Sequence, residues 1–325
     1  MKTEILSELR ASGQYVSGQQ LCERFGVSRT AVWKAVNQLK KEGYEIEAVQ
    51  NRGYRLVSVP EILSQKELES IRKTKWLGQK IFYYEELDST NSAAKKLAED
   101  GAPHGSVVVT ETQSAGRGRR GRSWASPRGT GIFMTYILKP EIEPANASML
   151  TLVMAMAVAK GIGNMTGIRA AIKWPNDVIA DGKKICGILT EMSAQVDYVN
   201  YIVIGSGTNV LTESFPPELE GKAASLYMIS GKKFHRAELI EEINEQFERY
   251  YNVFMETQDM AKLQEEYNQL LVNCGEKVKV LGAREEYEGT AQGITARGEL
   301  IVDTWEARKL VASGEVSVRG VYGYV

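Results

Sequence analysis

The 325-residue sequence is poor in the residues that cross-link small secreted domains or hold metal ions. It has three cysteines and two histidines, and these lie far apart along the chain at Cys22, Cys186, Cys274, His104 and His235. Such spacing argues against a disulfide framework, a zinc site with clustered ligands and a catalytic triad that needs histidine. We therefore expect a reducing compartment, the cytoplasm, and chemistry that does not depend on a histidine base.

An excess of charge of one sign and a long apolar segment are also missing. The formal net charge is −1, with 40 basic and 41 acidic residues, so the chain is not a generally basic protein that coats nucleic acid. The most apolar run, Met149 to Ala159, is too short to cross a bilayer, and no apolar signal core follows Met1. We therefore expect no membrane segment.

The remaining composition is that of an ordinary folded protein. Hydrophobic residues make up 43% of the chain and charged residues 25%, which is enough apolar material for a sizeable core. A length of 325 residues suits two or three domains.

The first 60 residues predict a compact helical module that ends in a hairpin. Ser17 and Ser28 precede two segments with helical spacing of apolar residues, over residues 19–25 and 29–41. Strand patterns on both sides of a turn-forming tetrapeptide predict a hairpin over residues 46–57. Two helices joined by a short glycine-containing turn and followed by a hairpin resemble the winged helix-turn-helix of bacterial transcription regulators.

On this interpretation, basic and polar side chains of the second capped helix and of the hairpin face DNA. They are Arg29, Thr30, Trp33, Lys34, Arg52 and Arg55. A chain with almost no net charge would bind DNA tightly only as a dimer that reads two half-sites. The alternative is a protein-interaction module that reads no DNA.

A local cluster of positive charge lies in the middle of the chain. Residues 116–124 read Gly-Arg-Gly-Arg-Arg-Gly-Arg-Ser-Trp, between strand patterns at residues 106–110 and 131–138. Glycines let the backbone approach a ligand closely, and guanidinium groups bind anions, so the loop predicts a site for a phosphate-bearing ligand. A solvated basic loop and a nucleic-acid patch are the alternatives. Trp124 would either stack on a base or fix the end of the loop.

Three other segments gather polar residues at the ends of predicted elements. Residues 88–91, Asp-Ser-Thr-Asn, precede a helix, which simple capping could explain. Residues 173–177, Lys-Trp-Pro-Asn-Asp, follow a strand, where we expect a metal ion and phosphates rather than only a proline bend. Residues 205–209, Gly-Ser-Gly-Thr-Asn, lack the Rossmann spacing and are interpreted as a tight turn that brings Asn209 to the same cleft.

The rest of the chain predicts structural elements. An apolar helix over residues 148–163 and helices over residues 236–254 and 259–271 belong to the core, an Asp-Gly turn at residues 181–182 joins two strands, and Cys186 is expected to be a small buried side chain. Short strands over residues 277–281, 287–294, 299–303 and 315–318 predict a small all-β barrel with no catalytic residue.

Taken together, these motifs resemble the biotin protein ligases. With the N-terminal module, the resemblance is to the bifunctional bacterial biotin ligases and biotin operon repressors, and the segments that carry it are residues 88–91, 116–124, 173–177, 183–189 and 205–209. It implies a multidomain α+β fold. This fold would comprise a winged helix-turn-helix at residues 1–63, a linker and a mixed-sheet biotin/lipoate ligase-like catalytic domain at 64–270, and an SH3-like β domain at 271–325.

The resemblance implies two activities. One is an ATP-dependent ligase that forms biotinyl-5′-adenylate with Mg²⁺-ATP and transfers biotin to a lysine of a carboxylase carrier domain. The other is a repressor whose adenylate-bound homodimer binds operator DNA, with a sheet edge of the central domain as the dimer surface. No membrane and no dedicated protein metal site are implied. The alternatives are a lipoate-type ligase, which shares the fold and the acyl-adenylate chemistry, and a non-catalytic metabolite-sensing repressor.

The resemblance also implies a role for each candidate residue. The catalytic groups would be Arg119, Lys184 and Lys173. The residues that contact biotin would be Ser89, Thr90, Asn91, Gln113, Gly116, Arg117, Gly118, Arg119, Lys184 and Gly187. Those that contact ATP or the adenylate would be Arg119, Arg122, Trp124, Lys173, Asn176, Asp177 and Asn209. Because glycines recur between Gly116 and Arg122, we expect this loop to fold over the adenylate and shield it from water.

Overall fold

The computed structural model describes residues 1–282, 285–314 and 317–320. The chain forms two compact units, Met1–Lys73 with His235–Glu241 and Thr74–Phe234 with Glu242–Val325. The finer division at residues 1–63, 64–270 and 271–325 stays a prediction.

The first unit contains the predicted helices and hairpin. Its elements are α1 (Lys2–Ser12), α2 (Gly18–Phe25), α3 (Arg29–Lys41), β1 (Glu45–Val49), β2 (Gly53–Ser58) and α4 (Gln65–Ile71). The hydroxyls of Ser17 and Ser28 accept hydrogen bonds from the third residues of α2 and α3, which confirms both predicted caps. The helix α4 lies at the start of the region from residue 64 where a linker was expected.

The core of the first unit comes from the apolar stripes of its helices. Leu6, Leu9, Leu21, Val36 and Leu39 are almost completely buried together. Because the buried residues of α1 and α3 recur three or four positions apart, one face of each of these helices packs inward and the opposite face of α3 stays exposed to solvent.

The second unit is built on a seven-stranded sheet. Its strands are β3 (Ile81–Tyr84), β4 (Ser106–Thr110), β5 (Gly131–Leu138), β6 (Ala171–Lys173), β7 (Asp177–Ala180), β8 (Lys183–Ala194) and β9 (Val199–Asn209). They lie in the order β3-β4-β5-β9-β8-β7-β6, with β3 and β4 parallel and the other neighbours antiparallel. The predicted Asp181-Gly182 hairpin joins β7 to β8, and both of its residues have positive φ, as this turn requires.

Helices accompany this sheet. They are α5 (Thr90–Glu99), α6 (Leu150–Thr166), α7 (Leu226–Ser230), α8 (Arg236–Thr257) and α9 (Gln264–Leu270). The helical segment Pro144–Thr166 contains the apolar run of residues 149–159 and is, by length and composition alone, long and apolar enough to cross a membrane. However, 72% of the most apolar 18-residue stretch of this segment is buried inside the protein, which agrees with the predicted core helix.

The predicted turn at residues 205–209 is wrong, because β9 continues without a break to Asn209. A Cβ atom at Gly205 would lie 2.1 Å from Asn91 Oδ1, and one at Gly207 would lie 2.4 Å from Trp124 Nε1. These distances are far below a van der Waals contact. The glycines therefore do not bend the chain but leave room for two side chains against the face of the sheet.

The C-terminal part of the second unit is an antiparallel five-stranded sheet. Its strands, β10 (Lys277–Leu281), β11 (Glu286–Ile294), β12 (Leu300–Asp303), β13 (Arg308–Val311) and β14 (Ser317–Gly320), lie in the order β13-β12-β11-β10-β14. The first three predicted strands are confirmed. The predicted strand at residues 315–318 lies partly outside the described residues, since 315 and 316 are not among them. β13 was missed because it is short and begins with two charged residues, which hides its apolar alternation.

Candidate active site

A cavity in the second unit lies between the start of α5, the loop of residues 116–124 and the strands β8 and β9. The cavity volume is about 50 Å³, so the cavity is narrow, and the polar and glycine residues that line it mark it as the candidate site. Most of the predicted site residues line it, namely Ser89, Thr90, Asn91, Gln113, Arg117, Gly118, Arg119, Trp124, Asn176, Lys184 and Gly187. The structure therefore brings together residues that are up to 98 positions apart, as in the hydrogen bond between Asn91 and Leu189.

Some predicted residues do not line this cavity. They are Gly116, Arg122, Lys173, Asp177 and Asn209. The amide of Asn209 donates to the carbonyl of Ala224 at 3.2 Å. A Cβ atom at Gly116 would lie 2.3 Å from the carbonyl oxygen of Trp124, so this glycine allows the two ends of the loop to meet.

Other lining residues were missed in the sequence. They are Ile188, Leu189, Gly205, Ser206 and Gly207, which come from the middle of β8 and the end of β9. The only signal in the sequence was the pair of glycines within an otherwise apolar strand pattern, which marks a close approach of other groups.

The start of α5 does more than cap a helix. Ser89 occupies the N-cap position and is 2% exposed, yet its side chain makes no capping hydrogen bond. The backbone N–H and the hydroxyl of Thr90 both donate to Gln113 Oε1, at 2.9 and 3.2 Å. Polar side chains at the start of α5 thus line the cavity. The free N–H groups of the first turn of a helix can also bind a ligand there.

The two ends of the loop of residues 116–124 are joined by backbone hydrogen bonds. The N–H of Trp124 donates to the carbonyl of Gly116 at 2.8 Å, and the N–H of Gly118 donates to the carbonyl of Arg122 at 2.7 Å. The tip is a 3₁₀ turn in which Arg120 has the left-handed φ of 57°. Hydrogen bonds across its base therefore hold the loop beside the cavity.

Trp124 lies against the floor of the cavity. Its ring is close to Gly187 and Gly207, where a Cβ atom would collide with it, and Lys184 Nζ lies 5.2 Å from the ring centroid. The indole Nε1 is buried and has no hydrogen-bond partner within the described residues. Trp124 thus fixes the end of the loop and still has one donor available to a ligand.

Arg119 connects three separate segments of the second unit. Its guanidinium group donates to Asn176 Oδ1 at 2.8 Å and to the carbonyl oxygens of Ser313 and Gly314, both at 2.6 Å. All three acceptors are uncharged, so these bonds orient the guanidinium group without neutralising it. Burial lowers the pKa of Arg119, and the nearby charge of Asp177 opposes this shift.

Two lysines, Lys173 at the end of β6 and Lys184 on β8, flank Asp177 at the start of β7. Lys184 Nζ lies 2.6 Å from Asp177 Oδ1. Lys173 is almost fully buried, and this burial lowers its pKa to about 8, with Asp177 opposing the shift and the charges of Lys184, Arg319 and Arg122 adding to it. Positive groups outnumber the acidic one here, which is the arrangement needed where two anions must meet.

The C-terminal sheet contributes groups that the sequence analysis did not find. The indole N–H of Trp174 donates to the carbonyl of Gly298 at 3.1 Å, in addition to the bonds that Arg119 makes to Ser313 and Gly314. Arg319, on β14, is near enough to lower the pKa of Lys173. Backbone carbonyls are present in every residue, so no residue type in the sequence could indicate these contacts.

Three family models match this chain in order. An HTH domain matches residues 2–55, the Biotin/lipoate A/B protein ligase family matches residues 83–209, and the Biotin protein ligase C terminal domain matches residues 274–319. The bifunctional ligase/repressor BirA of Bacillus spizizenii is 40% identical over 311 residues, which cover 95% of this chain and 95% of that protein. The chain belongs to the biotin ligase/repressor family.

Other members of the biotin ligase/repressor family and related structures agree. BirA of Escherichia coli is 28% identical over 323 residues, covering 97% of this chain and 96% of that protein. A biotin protein ligase from Aquifex aeolicus, solved in complex with biotin and ATP, matches with a TM-score of 0.65 and 28% identity. The match covers 74% of this chain and 99% of that chain. The predicted fold and family are confirmed, and the family assignment replaces the lipoate-type ligase and the non-catalytic sensor.

Proposed function

We propose that the cavity beside the 116–124 loop is where this biotin ligase and repressor joins biotin to ATP. One observation carries this proposal: Arg119 and Lys184 line a small glycine-floored cavity, and the buried cation of Lys173 lies behind it beside Asp177. Such positive groups suit a carboxylate and a polyphosphate that repel each other.

The first step then needs no protein nucleophile. A carboxylate oxygen of biotin attacks the α-phosphorus of ATP, the bond from phosphorus to that oxygen forms, and the bond to the pyrophosphate oxygen breaks. Lys184 and Arg119 would neutralise the two anions and hold them in line. Cys186 takes no part, because it is fully buried and burial raises its pKa to about 12.

The ends of the cavity suit different parts of the two substrates. Ser89, Thr90 and Gln113 would supply hydroxyl and amide groups for the ureido ring of biotin, and Gly118 and Gly187 would allow close approach. Arg117 lines the same cavity, whereas Gly116 would act on biotin only by closing the loop. Arg122, Trp124, Asn176 and Asn209 would serve the nucleotide. Most of the residues assigned to biotin line the cavity. Arg122 and Asn209, which are assigned to the nucleotide, do not line it and would reach the nucleotide from outside.

Mg²⁺ would arrive with ATP rather than in a protein cage. Within residues 1–282, 285–314 and 317–320, no group of three or more His, Cys, Asp and Glu side chains is arranged for a metal ion. Magnesium is commonly held by one or two carboxylates together with substrate phosphates, and Asp177 fits that limited role. The ion would neutralise charge on the phosphates.

In the second step, a lysine of a carboxylase carrier domain receives the biotin. Its uncharged amine attacks the acyl carbon of the adenylate, an amide bond forms, and AMP leaves with the anhydride oxygen. We expect these reactions in the cytoplasm, where ATP, the carrier and the operator are found together.

Operator binding would use the exposed face of α3 and the hairpin of the first unit. Arg29, Thr30, Trp33 and Lys34 are exposed on α3. The guanidinium groups of Arg52 and Arg55 lie 5.8 and 5.0 Å from the ring centroid of Tyr15, so this tyrosine positions both. Arg55 is also paired with Glu47 at 2.8 Å, which leaves Arg52 as the freer contact to a phosphate.

We propose the open edge of β8 as the surface that binds the second copy of a homodimer. β8 pairs with β9 along its length from Cys186, but on the other side β7 pairs only as far as Gly187. Beyond this point no strand of the described chain covers that side of β8. Met192, Val196 and Tyr198, at and near the end of this strand, are 49%, 92% and 57% exposed. An uncovered edge with exposed apolar side chains suits symmetric pairing with another copy.

The direct test of the ligase assignment mixes purified full-length protein with Mg²⁺-ATP and either biotin or lipoate. We expect mass spectrometry to detect biotinyl-adenylate and pyrophosphate with biotin, and no lipoyl-adenylate. Adenylate with lipoate only, or no adenylate with either acid, would overturn the proposed chemistry of the cavity.

Lys173 predicts how ATP use depends on pH. Its pKa is lowered from 10.5 to about 8, so its charge is lost as the pH rises through 8. We expect kcat/KM for ATP, measured at saturating biotin, to fall above about pH 8 in the wild type. In Lys173→Arg the guanidinium group stays protonated, so kcat/KM for ATP should stay constant to higher pH, even if its value differs from that of the wild type. The same decline in both proteins would remove Lys173 from nucleotide binding.

The DNA interface predicts a separable loss. Replacing Arg29 and Lys34 together by alanine should weaken operator binding by at least about tenfold, since contacts of this kind contribute about 1–3 kcal/mol each. Fluorescence anisotropy with an operator fragment measures the affinity, and adenylate formation should be unchanged. The matched control is Lys40→Ala with Lys41→Ala, which removes two charges from the last turn of the same helix. An equal loss in both double variants would contradict the proposed interface.

A further inference from the structure

The side-chain amide of Asn91 is almost fully used by the protein. Asn91 Nδ2 donates to the carbonyl oxygen of Leu189 at 3.1 Å and to Glu191 Oε2 at 2.8 Å, and Oδ1 accepts from the hydroxyl of Thr135 at 2.8 Å. A primary amide has two donor hydrogens, so both are occupied before any ligand binds. Asn91 therefore forms part of the cavity wall and has at most one free acceptor site for biotin.

Glu191 holds this amide in one orientation. Its Oε2 accepts from Asn91, and its Oε1 accepts from Lys95 Nζ at 2.6 Å. A carboxylate only accepts hydrogen bonds, so it requires the NH₂ side of the Asn91 amide and fixes the carbonyl side towards Thr135 and Gly205. Hydrogen bonds from Lys95 and Asn91, with the charges of Lys95 and Arg117, outweigh burial and keep the pKa of Glu191 below its ordinary value.

Glu191 also belongs to the uncovered part of β8. It follows Gly187, the last residue that pairs with β7, and it precedes the exposed Met192. With Thr190 and Met192 it lines a second cavity along this edge, and that cavity shares Arg119 and Asn176 with the first one. Residues 189–191 thus contact the biotin cavity through Asn91 and the open edge through their own strand.

We propose that Glu191 is a positioning residue that fixes the Asn91 amide in the wall of the biotin cavity. Glu191 lies on the uncovered part of β8 and does not line that cavity, so it acts on biotin through Asn91. Its carboxylate selects the amide orientation in which Asn91 Oδ1 stays beside Thr135 and Gly205. This inference rests on the proposed ligand cavity.

The variants are made in the full-length protein. Glu191→Gln removes the charge that selects the amide orientation, and Asn91→Asp places a second carboxylate against Glu191. The double variant Asn91→Asp with Glu191→Gln restores a donor and acceptor pair with the roles reversed. Glu99→Gln is the matched control, because Glu99 Oε1 accepts from the hydroxyl of Tyr201 at 2.8 Å and Glu99 lines neither cavity.

The readout is the adenylation reaction. We expect Glu191→Gln to raise KM for biotin about tenfold with little change in kcat, the size expected for one charge-assisted hydrogen bond. Asn91→Asp should be worse, and the double variant should be better than Asn91→Asp alone. Glu99→Gln should match the wild type. A wild-type KM for biotin in Glu191→Gln, or additive losses in the double variant, would overturn the positioning role.

Discussion

Replacing Lys184 by methionine is expected to slow the formation of biotinyl-adenylate about 10²–10³-fold, the loss typical when one group that stabilises developing charge is removed. Lys184 lines the cavity, and its Nζ lies between the carboxylate of Asp177 at 2.6 Å and the face of Trp124 at 5.2 Å from the ring centroid. Methionine keeps the length of the side chain and removes its charge, so packing against Trp124 changes little. Pyrophosphate release in single-turnover reactions measures the effect.

The matched control for this prediction is the neighbouring residue. Lys183→Met removes the same charge from the first position of β8, and Lys183 does not line the cavity. It should retain nearly normal adenylation. If Lys183→Met and Lys184→Met lose activity equally, the loss reflects the charge of the whole strand end and not the contact with substrates.

Replacing Arg119 by alanine is expected to release the adenylate into solution. Arg119 holds the loop of residues 116–124 to Asn176 and to the carbonyls of Ser313 and Gly314, and its charge is not neutralised by these acceptors. Hydrogen bonds of a charged group contribute about 1.5–3 kcal/mol each, so the dissociation rate of the adenylate should rise at least about tenfold. Rapid gel filtration followed by mass spectrometry of the protein-bound and free fractions measures the release.

The control for the clamp is Arg120→Ala in the same loop. Arg120 is exposed, lies at the tip of the turn and does not line the cavity. We expect it to retain the adenylate. Hydrogen exchange gives a second view: protection of residues 116–122 should increase when biotin and ATP are added to the wild type and should increase less in Arg119→Ala. Equal protection with and without ligand would contradict a loop that folds over the adenylate.

The two predictions depend on different kinds of information. Lys184 was predicted as a site residue by its motif, and the structure adds only its neighbours. The importance of Arg119 was also predicted, but the carbonyls that orient it come from a sheet that the sequence analysis treated as free of site residues. A contact to a backbone carbonyl depends on where two segments meet in space, and no residue type records it.

Some local expectations were wrong for the same reason. Gly-x-Gly at residues 205–207 was interpreted as a turn, because glycine is common in turns. In the folded chain the two glycines remain extended and make room for Asn91 and Trp124, which come from distant segments. Simple capping, one of the two explanations considered for residues 88–91, does not hold for Ser89, whose side chain makes no capping hydrogen bond, and Asn91 bonds to β8.

The sequence by itself determined the features that depend on neighbours along the chain. Capping serines set the starts of α2 and α3, helical spacing of apolar residues set the buried face of the first unit, and the Asp-Gly turn set the β7–β8 hairpin. The motifs around residues 116–124 and 173–177 identified the family.

Only the tertiary structure decided which groups meet: the carbonyls that accept from Arg119, the glycines that Trp124 packs against, and Glu191, which accepts from the amide of Asn91. These contacts join residues from about 60 to nearly 200 positions apart, as in the bonds from Arg119 to Asn176, 57 positions away, and to Gly314, 195 positions away. Their geometry is fixed by sheet order and packing, which no local pattern of residues encodes.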